Sequence, residues 1–153
     1  MTLLDTIRQI ERVAAGQPAV NMIVRNDIFR LSSFSDARYG VFAWTQGQHT
    51  ETAGDGVRSF AFTLIYIDRL TEDKGNEIEI QSVGIDTLGN ILRTLAELGI
   101  DYGDVTFTTF NQRFLDECAG VFASVRLRVP AVGPCGEGFG DFNDDFNDDF
   151  LIF

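Results

Sequence analysis

Residues 57–70 form the longest strand pattern in the chain, and this pattern is apolar on both faces. Successive side chains of a strand point to opposite faces of the sheet. One face carries Phe60, Phe62, Leu64 and Tyr66, and the other carries Ala61, Thr63, Ile65 and Ile67. A strand of this kind is covered on both sides, at least over its middle. The segment therefore predicts a central strand of a sheet.

A short amphipathic helix is predicted at the N-terminus. Thr2 and Asp5 have the spacing of a capping pair, with the acid near the positive end of the helix dipole. Apolar residues then recur at three- and four-residue spacing, which is typical of one buried helix face. They are Leu3, Leu4, Ile7, Ile10 and Ala14. Gly16 and Pro18 mark the end of this helix.

A longer helix is predicted after the central strand. Asn76 and Glu79 repeat the capping spacing, and Gly99 stands where a C-terminal cap is expected. The apolar residues with helical period are Ile80, Val83, Leu88, Ile91, Leu92, Leu95 and Leu98. Two glycines inside the pattern, at 84 and 89, each cost about 1 kcal/mol relative to alanine. We therefore expect this helix to be bent, or to begin near Asp86.

Shorter strand patterns complete the chain. They lie at residues 20–24, 28–31, 41–45, 105–110 and 121–129. The last one alternates apolar and polar residues, which indicates an antiparallel strand with one wet or interfacial face. Residues 46–56 are polar and aperiodic, and indicate an exposed excursion. The order of elements predicts an α+β fold, in which a mostly antiparallel sheet packs against a short N-terminal helix and one long helix.

The charge of the chain is unevenly distributed and divides it into two regions. The net charge is −11, which disfavours nonspecific binding to DNA or to an anionic membrane. Residues 1–130 carry 17 acids and all 12 bases, whereas residues 131–153 carry six acids and no base. We predict a folded domain at 1–130, followed at 131–153 by a glycine-rich linker and an acidic arm. No apolar run approaches the roughly 20 residues that span a bilayer, so no membrane partner is expected.

The arm repeats Phe-Asn-Asp-Asp and places Phe142, Phe146 and Phe150 at four-residue spacing. Leu151, Ile152 and Phe153 follow at the C-terminus. A solvated acidic tail is one interpretation. Because each buried Phe contributes about 1.5–3 kcal/mol, we favour an interaction arm that orders on another subunit through Phe142, Phe146, Phe150, Leu151 and Phe153. A calcium loop is disfavoured, because Phe146 and Ile152 stand where glycine and glutamate are required.

Catalytic and metal-binding patterns find little support. The chain has one histidine, His49, and two cysteines, Cys118 and Cys135, without the spacing of a zinc site. His49 is expected to be a surface or half-buried residue, although a Cys–His pair stays open. Asp68, at the end of the central strand, is the one acid in a position suited to a site, and an acid ending a strand beside Arg69 is the simpler interpretation. We therefore predict no catalytic residue, no cofactor and no metal.

A family resemblance is carried by residues 60–98. The strand Phe-Ala-Phe-Thr-Leu-Ile-Tyr-Ile-Asp-Arg-Leu leads into the charged turn Thr-Glu-Asp-Lys-Gly-Asn and then the leucine-rich helix. This arrangement resembles the tail-terminator and head–tail connector (neck ring) proteins of tailed bacteriophages, especially crAss-like and other phages of Bacteroidota. The resemblance extends over roughly residues 1–130. The two glycines in the long helix and the Phe/Asp arm depart from it.

The resemblance implies a structural virion protein that forms a homo-oligomeric ring in the phage neck or at the tail end. Its partners would be other copies of itself and the neighbouring neck, portal or tail proteins. DNA would pass through the channel without specific binding, and assembly would take place in the host cytoplasm. Two alternatives stay open: a small acidic host-takeover or DNA-mimic protein, and an enzyme that uses the Asp68 region.

Overall fold

The computed structural model describes residues 1–26, 38–113 and 117–131. In these residues the chain forms two helices and one seven-stranded sheet. The elements in chain order are α1 (Leu3–Ala15), β1 (Met22–Arg25), β2 (Val41–Gln46), β3 (Thr50–Glu51), β4 (Val57–Arg69), α2 (Glu77–Glu97), β5 (Asp101–Tyr102), β6 (Thr106–Arg113) and β7 (Glu117–Pro130). The predicted α+β class is confirmed. The strand predicted at 28–31 and the arm lie outside the described residues.

The strand order of the sheet is β1-β2-β4-β7-β5, with β3 paired to β4 and β6 paired to β7. The β1–β2 pair is parallel, and the other described pairs are antiparallel. The sheet is therefore mixed but mostly antiparallel. Strand β4 lies between β2 and β7 and pairs with β7 over its whole length, from Val57 opposite Pro130 to Arg69 opposite Cys118. The predicted central strand is confirmed.

Both faces of β4 contribute to a core. Phe60, Phe62, Leu64 and Tyr66 belong to the main cluster, which also contains the apolar residues of α1 and α2. On the opposite face, Ile65 and Ile67 belong to a second buried cluster with residues of β1, β2 and β7. We call this second face the outer face, because the two helices belong to the first.

Helix α1 begins with the predicted capping box. Thr2 Oγ1 accepts a hydrogen bond from the Asp5 amide at 3.1 Å, and the Asp5 carboxylate accepts one from the Thr2 amide at 2.9 Å. The Thr2 hydroxyl also donates to the Asp5 carboxylate at 2.7 Å, and this bond, together with the one from the Thr2 amide, holds the pKa of Asp5 below its usual range. The predicted buried face was wrong at Leu4, which is exposed, while the polar Thr6 and Glu11 are buried. The prediction counted only apolar residues, so it missed that the buried face of α1 also contains hydrogen-bonded polar side chains.

Helix α2 begins at Glu77 rather than near Asp86. Asn76 stands at the N-cap position, but the predicted capping hydrogen bond is wrong. The Asn76 side chain makes no bond to the helix, and its Oδ1 accepts from the Thr71 amide at 2.9 Å. The predicted apolar face was also wrong at Val83 and Leu98, which are exposed.

The C-terminus of α2 matches the prediction at Gly99, which has a φ of +89°. The amide of Gly99 donates to the Ala96 carbonyl at 3.0 Å, and the amide of Ile100 donates to the Leu95 carbonyl at 2.9 Å. This pair of bonds is a Schellman motif, which favours glycine at the left-handed position.

The last two strands lie where the sequence places them, as β6 and β7. Alternate residues of β7 from Val121 to Val129 are buried, while Ser124, Arg126 and Arg128 are exposed on the outer face. The excursion at 46–56 is mostly exposed as predicted, and it contains the short strand β3. The parallel β1–β2 pair and the short strand β5 were not predicted, because pairing partners and two-residue strands leave little local pattern.

Candidate interaction surfaces

Asp68, the candidate of the enzyme hypothesis, makes local contacts at the end of β4. Its carboxylate accepts from the Arg69 amide at 2.7 Å and from the Tyr66 hydroxyl at 3.5 Å. Burial, together with the nearby Asp68 charge, raises the pKa of Tyr66. Tyr66 therefore stays protonated at neutral pH and serves Asp68 as a hydrogen-bond donor. These contacts match the simpler interpretation of an acid that ends a strand.

His49 is half-buried, as the sequence suggests. Its Nδ1 accepts from the Ala61 amide at 3.2 Å, so Nε2 carries the proton and donates to Gln46 Oε1 at 3.1 Å. The ring packs edge-on against Phe60, with 5.2 Å between centroids. Both ring nitrogens are thus engaged in holding the 46–56 excursion against β4.

The Cys118–His49 pair that the sequence left open is ruled out by the register of the sheet. His49 contacts Ala61, whereas Cys118 lies opposite Arg69, eight residues further along β4. At about 3.3 Å per residue, the two side chains are roughly 26 Å apart. Cys118 is buried in the outer-face cluster. Cys135 lies outside the described residues.

In the part of the chain that the structure describes, no three His, Cys, Asp or Glu side chains are grouped so that they would hold a metal ion. Neither described helix is long and apolar enough to cross a membrane.

The buried carboxylate of Glu11 has a structural role. Its two oxygens accept from Arg25 Nε and Nη2, both at 2.6 Å, and Trp44 Nε1 donates to Oε1 at 3.1 Å. The carboxylate raises the pKa of Arg25. Because Glu11 lies on α1, Arg25 on β1 and Trp44 on β2, this cluster fixes the helix to the sheet.

The first candidate interaction surface is the free edge of β6. Among the described residues, β6 pairs with β7 alone, and Thr106, Thr108, Thr109 and Asn111 are exposed. An edge strand presents unpaired amide and carbonyl groups to other chains, and proteins often block such edges with proline, lysine or a bulge. The eight residues of β6 contain no proline, glycine or lysine. Within the described part of the chain, this edge therefore has unpaired backbone groups that another strand can pair with.

An apolar stripe of α2 lies beside that edge. Ile78, Ile85 and Leu92 are seven residues apart and project in nearly the same direction. Their exposed fractions are 75%, 37% and 1%, so the stripe passes from solvent into the core. Glu77 Oε1 accepts from Asn111 Nδ2 at 2.8 Å, which places the start of the stripe next to β6. We call Ile78, Ile85 and the β6 edge together the edge patch.

A second surface lies on the opposite flank of α2, where this helix packs against α1. A groove of about 460 Å³ is lined there by Gln9, Arg12, Val13, Gly16, Gln17, Thr94 and Leu98. Thr94 is nine residues from Ile85 and therefore projects from the opposite side of α2. The exposed Leu98 adds apolar surface to the groove, and Arg12 adds a positive charge. We call this the helix groove.

A third surface is a depression of about 380 Å³ on the outer face of the sheet. It is lined by Gly47, Ala61, Phe62, Thr63, Asp104, Ser124, Val125 and Arg126. The small side chains on adjacent strands leave the depression open, and Arg126 reaches only long contacts of 3.5 Å with the Gln48 carbonyl and Thr50 Oγ1. Arg128 follows on the same face of β7. We call the depression with these two arginines the outer groove.

The interaction arm predicted at Phe142, Phe146, Phe150, Leu151 and Phe153 lies outside the described residues. The exposed excursion at residues 46–56 supplies one side of the outer groove through Gly47 and the Arg126 contacts. Sequence reasoning missed the edge patch. The seven-residue spacing of Ile78, Ile85 and Leu92 was the available signal, but the first two lay outside the apolar set assigned to the helix.

The chain matches no protein-family model, and no curated protein matches it.

Proposed function

We propose that this chain is a structural virion protein of a tailed bacteriophage, which forms a homo-oligomeric ring in the neck or at the tail end. In this role its body is a tail-terminator-like domain, and the ring joins the head or portal to the tail around the DNA channel. The observation that carries the proposal is the edge patch, an open sheet edge beside an exposed apolar stripe. Such a surface supports repeated protein contact rather than catalysis.

The edge patch has the properties expected of one side of an interface between two subunits. A strand added to β6 would satisfy its free backbone groups and would cover Ile85 and Ile78, as the fold already covers Leu92. Because Ile78 is 75% and Ile85 only 37% exposed, covering the two contributes about 2–3 kcal/mol. The occupant that we propose is a neighbouring copy of this chain.

The helix groove supplies the other half of the contact. A ring requires a heterologous interface, in which two different surfaces of each subunit meet around an axis. The edge patch and the helix groove lie on opposite flanks of α2. We therefore place the edge patch of one copy against the helix groove of the next.

The acidic character of the protein suits a channel for DNA. A wall that attracted phosphate groups would hold the DNA and slow its passage. The body at residues 1–130, with 17 acids against 12 bases, is mildly acidic and gives a repulsive field instead.

The proposal is tested by a matched pair of substitutions on α2. Ile85 and Val83 are 37% and 38% exposed but project from nearly opposite sides of the helix. Ile85→Glu should abolish the closed ring by placing a charge in the contact, while Val83→Glu should form the ring as the wild type does. Both variants should remain folded, because both sites are solvent-accessible. Sedimentation velocity and circular dichroism give the two readouts, and equal assembly of the two variants would contradict the proposal.

A further inference from the structure

We propose that the outer groove is the docking site for the acidic Phe/Asp arm, residues 141–153, of a neighbouring copy of this chain. The inference rests on the proposed function, since it assumes that copies assemble, and it assigns the arm a receptor. The proposed ring contact uses the edge patch and the helix groove, so the outer groove is a separate surface.

The first argument is charge. Residues 141–153 contain five aspartates and no base. Arg126 and Arg128 are exposed, and among the described residues neither has a carboxylate within 4 Å. Asp101 of β5 lies directly opposite Arg128 of β7 and shares its face, but it makes no ion pair with Arg128 within 4 Å. Both arginines can therefore bind a carboxylate of the arm, at Arg128 in competition with Asp101, and an arginine–carboxylate pair can be bidentate.

The second argument is shape. The floor of the outer groove is formed by the small residues Ala61, Thr63, Ser124 and Gly47. The volume of about 380 Å³ lies in the range of pockets that hold small organic ligands, so it admits an aromatic side chain. An arm with phenylalanines at four-residue spacing and aspartates between them offers both groups that the groove accepts.

The third argument is the place where the chain leaves the body. Strand β7 ends at Pro130, and the Ala131 amide donates to the Gly56 carbonyl at 2.7 Å. Ten residues then separate Ala131 from the second residue of the arm, Phe142, and they span at most about 36 Å. This reach permits docking on a neighbouring copy. It also permits docking on the arm's own outer groove, because Arg126 is only five residues from Ala131, about 17 Å along β7. Because arm and groove are different surfaces of the same chain, their contact is heterologous and can be repeated around a ring.

One carboxylate on the rim opposes the arm. Asp104 lines the outer groove and faces the same approach as the aspartates of the arm. Asp104→Asn should therefore strengthen docking several-fold, whereas loss of the arginines should weaken it.

The test exchanges charges between groove and arm in the full chain. All proteins carry Ile85→Glu, so that the proposed ring contact is absent and only arm docking is measured. The groove variant adds Arg126→Glu and Arg128→Glu, and the arm variant adds Asp144→Lys and Asp148→Lys. A control carries Arg93→Glu, an exposed arginine on α2 away from the outer groove. Association is measured by fluorescence energy transfer between donor- and acceptor-labelled copies.

Each charge-reversal variant alone should self-associate at least about tenfold more weakly than the parent, which corresponds to about 1.4 kcal/mol. Their equimolar mixture should associate as strongly as the parent or more strongly, because each arm then meets a groove of opposite charge. The Arg93→Glu control should match the parent. A mixture no stronger than the single variants would overturn docking between copies, and so would a groove variant that associates like the parent. Concentration-independent contact within one chain would place the arm on its own groove and would also overturn it.

These outcomes are independent of the ring contact. A protein without Ile85→Glu that fails to form a ring contradicts the proposed function, whatever the arm does. A failed charge exchange leaves the edge patch and its test unaffected.

Discussion

Gly84 of α2 lies directly against Tyr66 of β4. A Cβ atom at this position would come within 3.0 Å of Tyr66 Cδ1 and within 2.9 Å of Val121 Cγ2. The glycine lets the helix approach the two central strands of the sheet closely. Gly84 has a low helix propensity, but its small size is what allows this close packing.

Gly84→Ala should destabilise the protein, although alanine is the better helix former by about 1 kcal/mol. Crowding against Tyr66 and Val121 should outweigh this gain, at the 1–3 kcal/mol typical of overpacked cores. Chemical denaturation measures the change in the free energy of unfolding.

Gly89→Ala is the matched control. Its Cβ would approach only the Arg93 guanidinium, at 3.2 Å, and that flexible side chain can move away. We expect a neutral or stabilising effect of up to about 1 kcal/mol. Equal effects at the two glycines would show that Gly84 has no packing role.

Arg25→Met should destabilise the protein by about 3 kcal/mol. The carboxylate of Glu11 would stay buried without its cation, and breaking such a pair costs about 3–5 kcal/mol. We expect the lower end of this range of destabilisation, because the Arg25 side chain is 46% exposed and Trp44 still donates a hydrogen bond to Glu11.

Adding Glu11→Gln to Arg25→Met should recover much of this loss. The glutamine is uncharged and still offers an oxygen to Trp44 Nε1. The two proteins are compared by denaturant titration. If the double variant were less stable than Arg25→Met alone, the buried charge would not be the cause of the destabilisation.

Deleting residues 140–153 should leave the body folded and should weaken assembly. The last strand ends at Pro130, and the Met1 ammonium donates to the Pro130 carbonyl at 3.1 Å, so the chain is fixed at that point. Circular dichroism should show cooperative melting close to that of the full chain. Loss of cooperative melting would mean that the arm belongs to the core.

Local patterns in the sequence were enough to predict the central strand, both helices and the α+β class. The capping box at Thr2 and the Schellman glycine at 99 are short-range features, and residue type alone indicates them. The contacts of Gly84 join segments far apart in the chain, so the sequence showed only the local cost of a helical glycine. The Glu11–Arg25 pair was missed for the same reason, since its partners are 14 residues apart and on different elements.

The interaction surfaces were predicted less completely. The phenylalanines of the arm stand out in the sequence, whereas Arg126 and Arg128 appear there only as the polar half of an alternating strand. The open groove beside them arises from small side chains on neighbouring strands. The register of the sheet decides which residues are neighbours across strands, and the local sequence pattern does not reveal this register.

The mass of the full-length protein in solution, measured by native mass spectrometry, tests the central claim most directly. A ring subunit should give one discrete closed oligomer of fixed copy number, and Ile85→Glu should abolish this closed oligomer while Val83→Glu leaves it intact. The same copy number should be found for the protein in purified virions. A wild-type protein that stays monomeric at every soluble concentration and is absent from virions would contradict the account, and would favour the alternative of a small acidic protein acting free in the host cell.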